Sequence, residues 1–305
     1  MILKHRVEPA RDGTRLSVFL HRDMELANGY IARLKPLQAI RVNGQPAHTD
    51  YILAAGDLVE VDLAAPPPDF PPEDGPLDIL YEDEAILAVN KPAGMVIHPS
   101  PARLTGTLAN RVLGYYQAGG QQCAVHILTR LDRDTCGIVL LGKNAWVQDR
   151  LTRALRTGQL HKSYLAPVLG GPAAEMGLWD WPIVRPDPRG QRRAVGAGGQ
   201  PARTRYAVVS RQQGWSLLRL RPETGRTHQL RVHCLQAGCP ILGDPMYATA
   251  ASMGTSAALG WPYQHLLAQQ LTLPHPVTGQ QLTLTAPVPP DFLPQTAEPF
   301  TPRMC

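Results

Sequence analysis

Two carboxylates and two guanidiniums crowd into five residues at Arg130-Leu131-Asp132-Arg133-Asp134, just ahead of the apolar run Ile138 to Leu141. A carboxylate beside a fixed cation is held ionised, because the opposite charge lowers its pKa. An ionised carboxylate at the edge of a buried element can serve as nucleophile or base. The plainer reading is a salt-bridged turn feeding a strand. A second polar cluster is Arg221 to His233, RPETGRTHQLRVH. Gly225 permits a turn there, after which His228, Arg231 and Glu223 or Arg226 can line one polar surface. A metal centre would have to draw on His228, His233, Cys234 and Cys239, but their spacing matches no zinc pattern well. Those cysteines read more simply as small buried apolar residues. Lys162-Ser163-Tyr164 opens an apolar segment, where a lone tyrosine ordinarily packs in a core. Taken singly, none of these clusters fixes a function.

The elements that must position them are partly legible. Ile86 to Val89 and Ile138 to Leu141 are short continuous apolar runs, the pattern of buried strands. Lys91-Pro92 and Gly94 end the first run. Val147, Leu151, Ala154 and Leu155 form a helical stripe between Asn144, a good N-cap, and Gly158, a good stop. Tyr164 to Leu169, Thr204 to Val209, Leu217 to Leu220 and Leu282 to Leu284 read as further strands. Strands outnumber helices without alternating with them, which predicts an α+β domain on a mixed sheet rather than a doubly wound fold. Before this domain, residues 66–76 read PPPDFPPEDGP, a stiff extended linker. Ahead of the linker, Asn28-Gly29 can start a short helix carrying Tyr30, Ile31 and Leu34, ended by Pro36. Ile40 and Val42 then lead into an Asn43-Gly44 turn, and Val59, Val61 and Leu63 alternate after Gly56-Asp57. Three units follow: a small α/β module at 1–64, a proline-rich linker at 65–76, and the main domain at 77–300. Arg33, Lys35 and Arg41 give the first unit a modest basic side.

Composition narrows the classes. The 305 residues carry a net charge of +5, mostly from arginine, so a polyanionic partner is allowed but not demanded. Arginine's planar fork suits phosphates and base edges. The five cysteines are odd in number and sparse, which argues against a disulfide scaffold. The start, MILKHRVEPARDG, lacks an apolar signal core, and no apolar run approaches the roughly 18 residues of a membrane span. A cytoplasmic chain is expected, monomeric by default. Residues 186–201, PDPRGQRRAVGAGGQP, are rich in glycine and arginine and read as a mobile loop able to order on a nucleic acid.

In combination and in this order, the clusters resemble the RluA-type pseudouridine synthases. RLDRDTCG is similar to that family's central motif, which places the catalytic aspartate at Asp132 and a structural carboxylate at Asp134. YEDEAILAVNKPAGMVIHP is similar to the entry motif, and HKSYLAPVLG to the segment with the active-site tyrosine, here Tyr164. TGRTHQLRVHCLQAGCPILGDPMY is similar to the last motif, whose basic partner of the aspartate falls on Arg231. The likeness spans about residues 77 to 290, and four ordered motifs are far more specific than one. RVNGQ and AAGDLVEVDL give residues 1–64 a looser resemblance to the αL-type RNA-binding module, from which Pro36 departs by interrupting the usual basic helix. Thr129 and Cys136 also depart from the commoner family residues, without replacing a catalytic position.

The resemblance implies a mainly antiparallel catalytic sheet and a cofactor-free, metal-free isomerase acting on RNA. Large-subunit ribosomal RNA is the first expectation and transfer RNA the second. It implies Asp132, Tyr164 and Arg231 as catalytic residues. Arg130, Arg133, Arg226 and His228, with Arg33, Lys35 and Arg41, are the RNA-contacting candidates. Two rival readings compete with this one. A non-catalytic RNA-binding or ribosome-assembly factor has no need of Asp132, Tyr164 and Arg231 together. A glycoside hydrolase would call for a second opposed acid and aromatic sugar platforms, which a 6% aromatic content fits poorly.

Overall fold

The apolar runs of the sequence become adjacent strands, Ile86–Lys91 and Cys136–Gly142, each buried along nearly its whole length. Successive side chains of a strand face opposite ways, and the two faces meet different helices. Leu87, Val89, Val139 and Leu141 pack against Leu108, Val112 and Tyr116 of the helix Leu108–Ala118. Ile86, Ala88, Ile138 and Leu140 belong to the core that includes Trp146, Val147 and Leu151 of the helix Ala145–Arg156. Burial on both faces is why these strands read as unbroken apolar runs rather than alternating ones. The second helix is the one the stripe predicts: the Asn144 side chain accepts from the Val147 amide at 2.9 Å, and Gly158 takes a positive φ just beyond its end.

The structure is a computed structural model that describes residues 1–63, 70–121 and 123–293. Its largest sheet runs in the order Met176–Asp180, Arg203–Gln212, Trp215–Pro222, His161–Leu169, Leu267–Pro274, Cys136–Gly142, Ile86–Lys91, Ile79–Glu82. Every neighbouring pair in it is antiparallel except Leu267–Pro274 with Cys136–Gly142, which is parallel over two residues. The mixed, mainly antiparallel α+β class is therefore correct. The parallel contact needs a very close backbone approach at Gly137. This residue has φ +102°, and a Cβ there would collide with the Ala268 backbone.

The N-terminal piece forms its own antiparallel sheet, ordered Ile2–Arg6, Leu58–Asp62, Ile40–Val42, Gln45–Pro46. Two helices, Leu16–Arg22 and Asn28–Leu34, pack on it. Pro36 ends the second in a single 3-10 turn. The core of this piece is continuous with that of the main sheet. Trp146 Nε1 donates to the Met24 carbonyl at 3.0 Å, and Arg150 and Arg153 reach Glu25 at 3.1 and 3.2 Å. Residues 65–69 of the expected linker lie outside the described residues. The remainder is fastened to the helix Leu108–Ala118: Asn110 Nδ2 donates to Pro71 O at 2.7 Å and its carbonyl accepts from Glu73 N at 3.0 Å.

Several elements escape a reading by apolar periodicity. The helices Leu16–Arg22, Leu108–Ala118, Gln229–Gln236 and Ala250–Ala258 are of this kind. Most of the segment 186–201 is irregular, but Ala194–Val195 within it forms an antiparallel pair with Ile183–Val184. Its Arg193 amide donates to the Tyr247 hydroxyl at 2.8 Å. No helix among the described residues is long and apolar enough to cross a membrane.

Gly137→Ala should destabilise the chain by more than about 1 kcal/mol, because it combines an unfavourable φ with a backbone collision. Urea unfolding of the two proteins measures this; an unchanged midpoint would mean the two strands can separate at no cost.

Candidate active site

Asp132 lies in the turn that enters the strand Cys136–Gly142, with the Thr135 amide donating to its carbonyl at 3.2 Å. Lys91, at the end of the adjacent strand, holds this turn from below. It is fully buried, and its Nζ donates to the carbonyls of Pro92 (2.8 Å), Met95 (2.9 Å) and Arg133 (2.8 Å). An ammonium has three protons and no acceptor, so all of its donors are used. Burial pulls its pKa down to about 8. Gln264 Nε2 fastens the other end of the turn by donating to Thr135 Oγ1 at 2.6 Å.

The opposite wall comes from the helix Gln229–Gln236, whose Arg231 is buried. Its Nη1 donates to Asp132 Oδ2 at 3.0 Å, across 99 residues of sequence. Its Nε and Nη2 form a fork on Asp244 Oδ2 and Oδ1 at 2.6 and 2.8 Å. Such two-point pairing is the strongest guanidinium–carboxylate geometry. The Asp244 side chain has no exposure, and its Oδ1 also accepts from the amides of Met246 and Tyr247. The Tyr247 ring lies 4.9 Å from the guanidinium carbon, a cation–π distance. Burial works against the charge of Arg231, but Asp244 and then Asp132 outweigh it and hold the pKa above its ordinary value.

Tyr164 lies on the strand His161–Leu169 and is buried. Burial, and then the negative charge of Asp132, push its phenol pKa upward, so the hydroxyl keeps its proton. His228 begins the Arg231 helix in the left-handed conformation, φ +57°. Its Nδ1 is 2.8 Å from the Tyr247 hydroxyl and its Nε2 is 3.9 Å from Asp132 Oδ2. Burial lowers its pKa, with Asp132 opposing. These groups surround a cleft of about 120 Å³, lined by Asp132, Tyr164, Lys162, Arg226, His228 and Arg231 among others.

Three residues named from the sequence, Asp132, Tyr164 and Arg231, thus converge on one cleft, and Arg130, Arg226 and His228 join them. Arg133 does not line it: its guanidinium forms a two-point pair with Asp134 at 2.9 Å, and only its carbonyl serves the turn. Arg33, Lys35 and Arg41 are exposed on the N-terminal piece, apart from the cleft lining. Asp244, Tyr247 and Lys91 carry much of the geometry, and residue type and spacing alone did not single them out. Cys234 and Cys239 are buried in the core, and His233 bonds Thr204 and the Trp181 carbonyl. Among the described residues no three His, Cys, Asp or Glu side chains gather as a metal site.

A cleft holding one part-exposed carboxylate, a buried arginine on it and a buried tyrosine beside it suits polar group chemistry on a flat ring. Comparison with known proteins defines which. Residues 85–236 match the family model for RNA pseudouridylate synthase. The chain is 34% identical over 289 residues to an uncharacterised RNA pseudouridine synthase of Bacillus subtilis, covering 94% of this chain and 93% of that one. It is 32% identical over 292 residues to ribosomal large subunit pseudouridine synthase D of Haemophilus ducreyi, covering 93% and 86%. Among solved structures, human RNA pseudouridylate synthase domain containing 4 superposes with a TM-score of 0.59 at 28% identity, covering 70% of this chain and 90% of that one. The chain therefore belongs to the RNA pseudouridine synthase family, a family of isomerases.

Asp244→Ala strips Arg231 of its forked partner while leaving the cation buried. A stability loss of about 3 kcal/mol is expected, read as a lowered denaturant midpoint. A midpoint within experimental error of wild type would show that Asp132 and Tyr247 alone can hold the guanidinium.

Proposed function

We propose that this chain converts uridine to pseudouridine within a structured RNA, with large-subunit ribosomal RNA as its substrate and Asp132 as the essential carboxylate. The observation that carries the assignment is the split environment of Asp132. Its Oδ2 is held by Arg231 at 3.0 Å, while Oδ1 takes no hydrogen bond among the described residues and its side chain is 31% exposed. One oxygen is fixed and the other is free to act, either on the anomeric carbon or on a sugar proton.

The reaction breaks the glycosidic bond, rotates the uracil and rejoins it through a ring carbon. Atoms and electrons balance within the nucleotide, so the reading calls for no cofactor and no metal. The target must leave its stack, at a cost on the order of a few kcal/mol. Tyr164, buried at the cleft and protonated, offers a face for the extruded uracil, and aromatic stacking offsets part of that cost. Arg130 and Arg226 at the cleft rim supply cations for the flanking phosphates. Residues 1–64 would serve as an RNA-holding module through the exposed Arg33, Lys35 and Arg41. Arg133, spent on Asp134, would shape the loop. The similarity to ribosomal large subunit pseudouridine synthase D of Haemophilus ducreyi supports the large ribosomal subunit as target. In this reading the protein works as a cytoplasmic monomer.

Asp132→Asn should abolish turnover while leaving RNA affinity near wild type, measured by tritium release and filter binding; turnover surviving in that variant would remove Asp132 from the chemistry. Tyr164→Phe keeps the ring and should retain RNA affinity with a reduced turnover rate, whereas an unchanged rate would limit Tyr164 to stacking. The substrate is read by mapping pseudouridines in RNA from cells lacking the protein, then re-expressing wild type or Asp132→Ala. Sites in large-subunit ribosomal RNA should vanish and return only with wild type. Sites lost from transfer RNA instead would redirect the assignment.

A further inference from the structure

The protonation pattern of His228 follows from its neighbours. Tyr247, which it contacts, is 1% exposed. Its hydroxyl oxygen accepts from the Arg193 amide at 2.8 Å and lies 2.8 Å from His228 Nδ1. An amide can only donate, so the Arg193 contact uses an oxygen lone pair. The phenolic proton still needs an acceptor, and among the described residues His228 Nδ1 is the sole candidate. If Nδ1 carried a proton instead, a buried hydroxyl would be left with no acceptor, an arrangement that folded proteins avoid. Nδ1 is therefore the acceptor, and a neutral imidazole has its proton on Nε2. That nitrogen faces Asp132 Oδ2 at 3.9 Å.

The charged and titratable groups around the ring are Asp132, Arg231, Arg193 and Asp244, together with Tyr247. Arg231 already donates to Oδ2, the same oxygen that Nε2 faces. The distance of 3.9 Å is too long for a hydrogen bond, but catalytic contacts are often long before substrate binds and shorten in the complex. His228 also holds a left-handed backbone, φ +57°, a conformation uncommon for residues with a side chain though histidine is among those that tolerate it best.

We propose that His228 is a positioning residue for Asp132. Arg193 N–H and the Tyr247 hydroxyl fix its Nε2–H tautomer, and on RNA binding that N–H becomes the second donor to Asp132 Oδ2, leaving Oδ1 as the reacting oxygen. The inference rests on the pseudouridine synthase reading of the cleft for its catalytic part only. It also gives the hairpin Ile183–Val195 a link to the chemistry, because the first donor of the relay is a backbone amide of that hairpin.

Two measurements test it. In the free protein, histidine 15N spectra, with the His228 signals assigned by loss in His228→Gln, should show a neutral ring protonated at Nε2. Tyr247→Phe should shift those signals toward a mixture of tautomers. A ring protonated at Nδ1, or an imidazolium at pH 7.5, overturns the proposal without reference to any RNA. The second measurement is steady-state kinetics on unmodified large-subunit ribosomal RNA transcribed in vitro. His228→Asn, whose amide lies near the Nδ1 position, should lower kcat by about tenfold with little change in KM, the equivalent of one lost hydrogen bond. His228→Gln, whose amide can reach the Nε2 position, should recover most of that loss. A purely backbone role predicts the reverse order, since asparagine tolerates the left-handed conformation better than glutamine. Asn equal to or faster than Gln would therefore sink the proposal. A wild type inactive on this RNA counts against the substrate assignment, and the tautomer result then decides the relay by itself.

Discussion

A guanidinium shut away from water dictates much of this structure. Burying a cation is costly unless its donors are matched by acceptors of opposite charge, and Arg231 meets that demand with two carboxylates. Asp244 takes the fork and is itself satisfied by backbone amides of the chain that follows it. Arg231 turns its Nη1 instead to Asp132. The arginine is thus anchored by one carboxylate and presents a single directed donor to the other. The placement of Tyr247 follows from the same requirement: its ring covers the guanidinium while its hydroxyl reaches His228.

The chain brings these parts together across a long sequence separation, and the sheet makes that possible. The turn bearing Asp132 enters a central strand beside Leu267–Pro274, which in turn pairs with the strand of Tyr164. Ala268 is opposite both Gly137 and Tyr164 in register. The missing side chain at Gly137 lets the parallel contact form, and so fixes how near the aspartate's turn stands to the tyrosine. The same few residues thus serve both the strand packing and the placement of the site.

The sequence revealed those parts whose signal is local. The runs around Ile86 and Ile138 and the capped stripe from Asn144 are local patterns, and each became the expected element. So did the short helix at Asn28. The helix Gln229–Gln236 was hidden because six of its eight residues are buried, which leaves no polar face to create a period. Ala250–Ala258 is built from small residues with few buried side chains, so it has no apolar stripe to read. Leu108–Ala118 starts at a capping box closed by Asn110 rather than by an acidic residue. Of the site, the residue types at Asp132, Tyr164 and Arg231 were legible because four motifs occur in order. The work of Asp244, Tyr247 and Lys91 was not, because each acts by meeting groups that only the fold brings near. Arg133 is a different case: its type suits a phosphate or a loop-shaping ion pair, and its guanidinium pairs with its neighbour Asp134.

The three carbonyls around Lys91 have a consequence for chemical labelling. A primary amine with a pKa near 8 would normally be among the most readily acylated groups in a protein. Here the nitrogen has no exposure, and every N–H is directed at a carbonyl oxygen. Its lone pair becomes available only if the carbonyls of Pro92, Met95 and Arg133 draw away from it. Lys91 is therefore a built-in reporter: its rate of modification by an amine-reactive reagent measures how often the backbone clasped around it, the aspartate's turn included, opens.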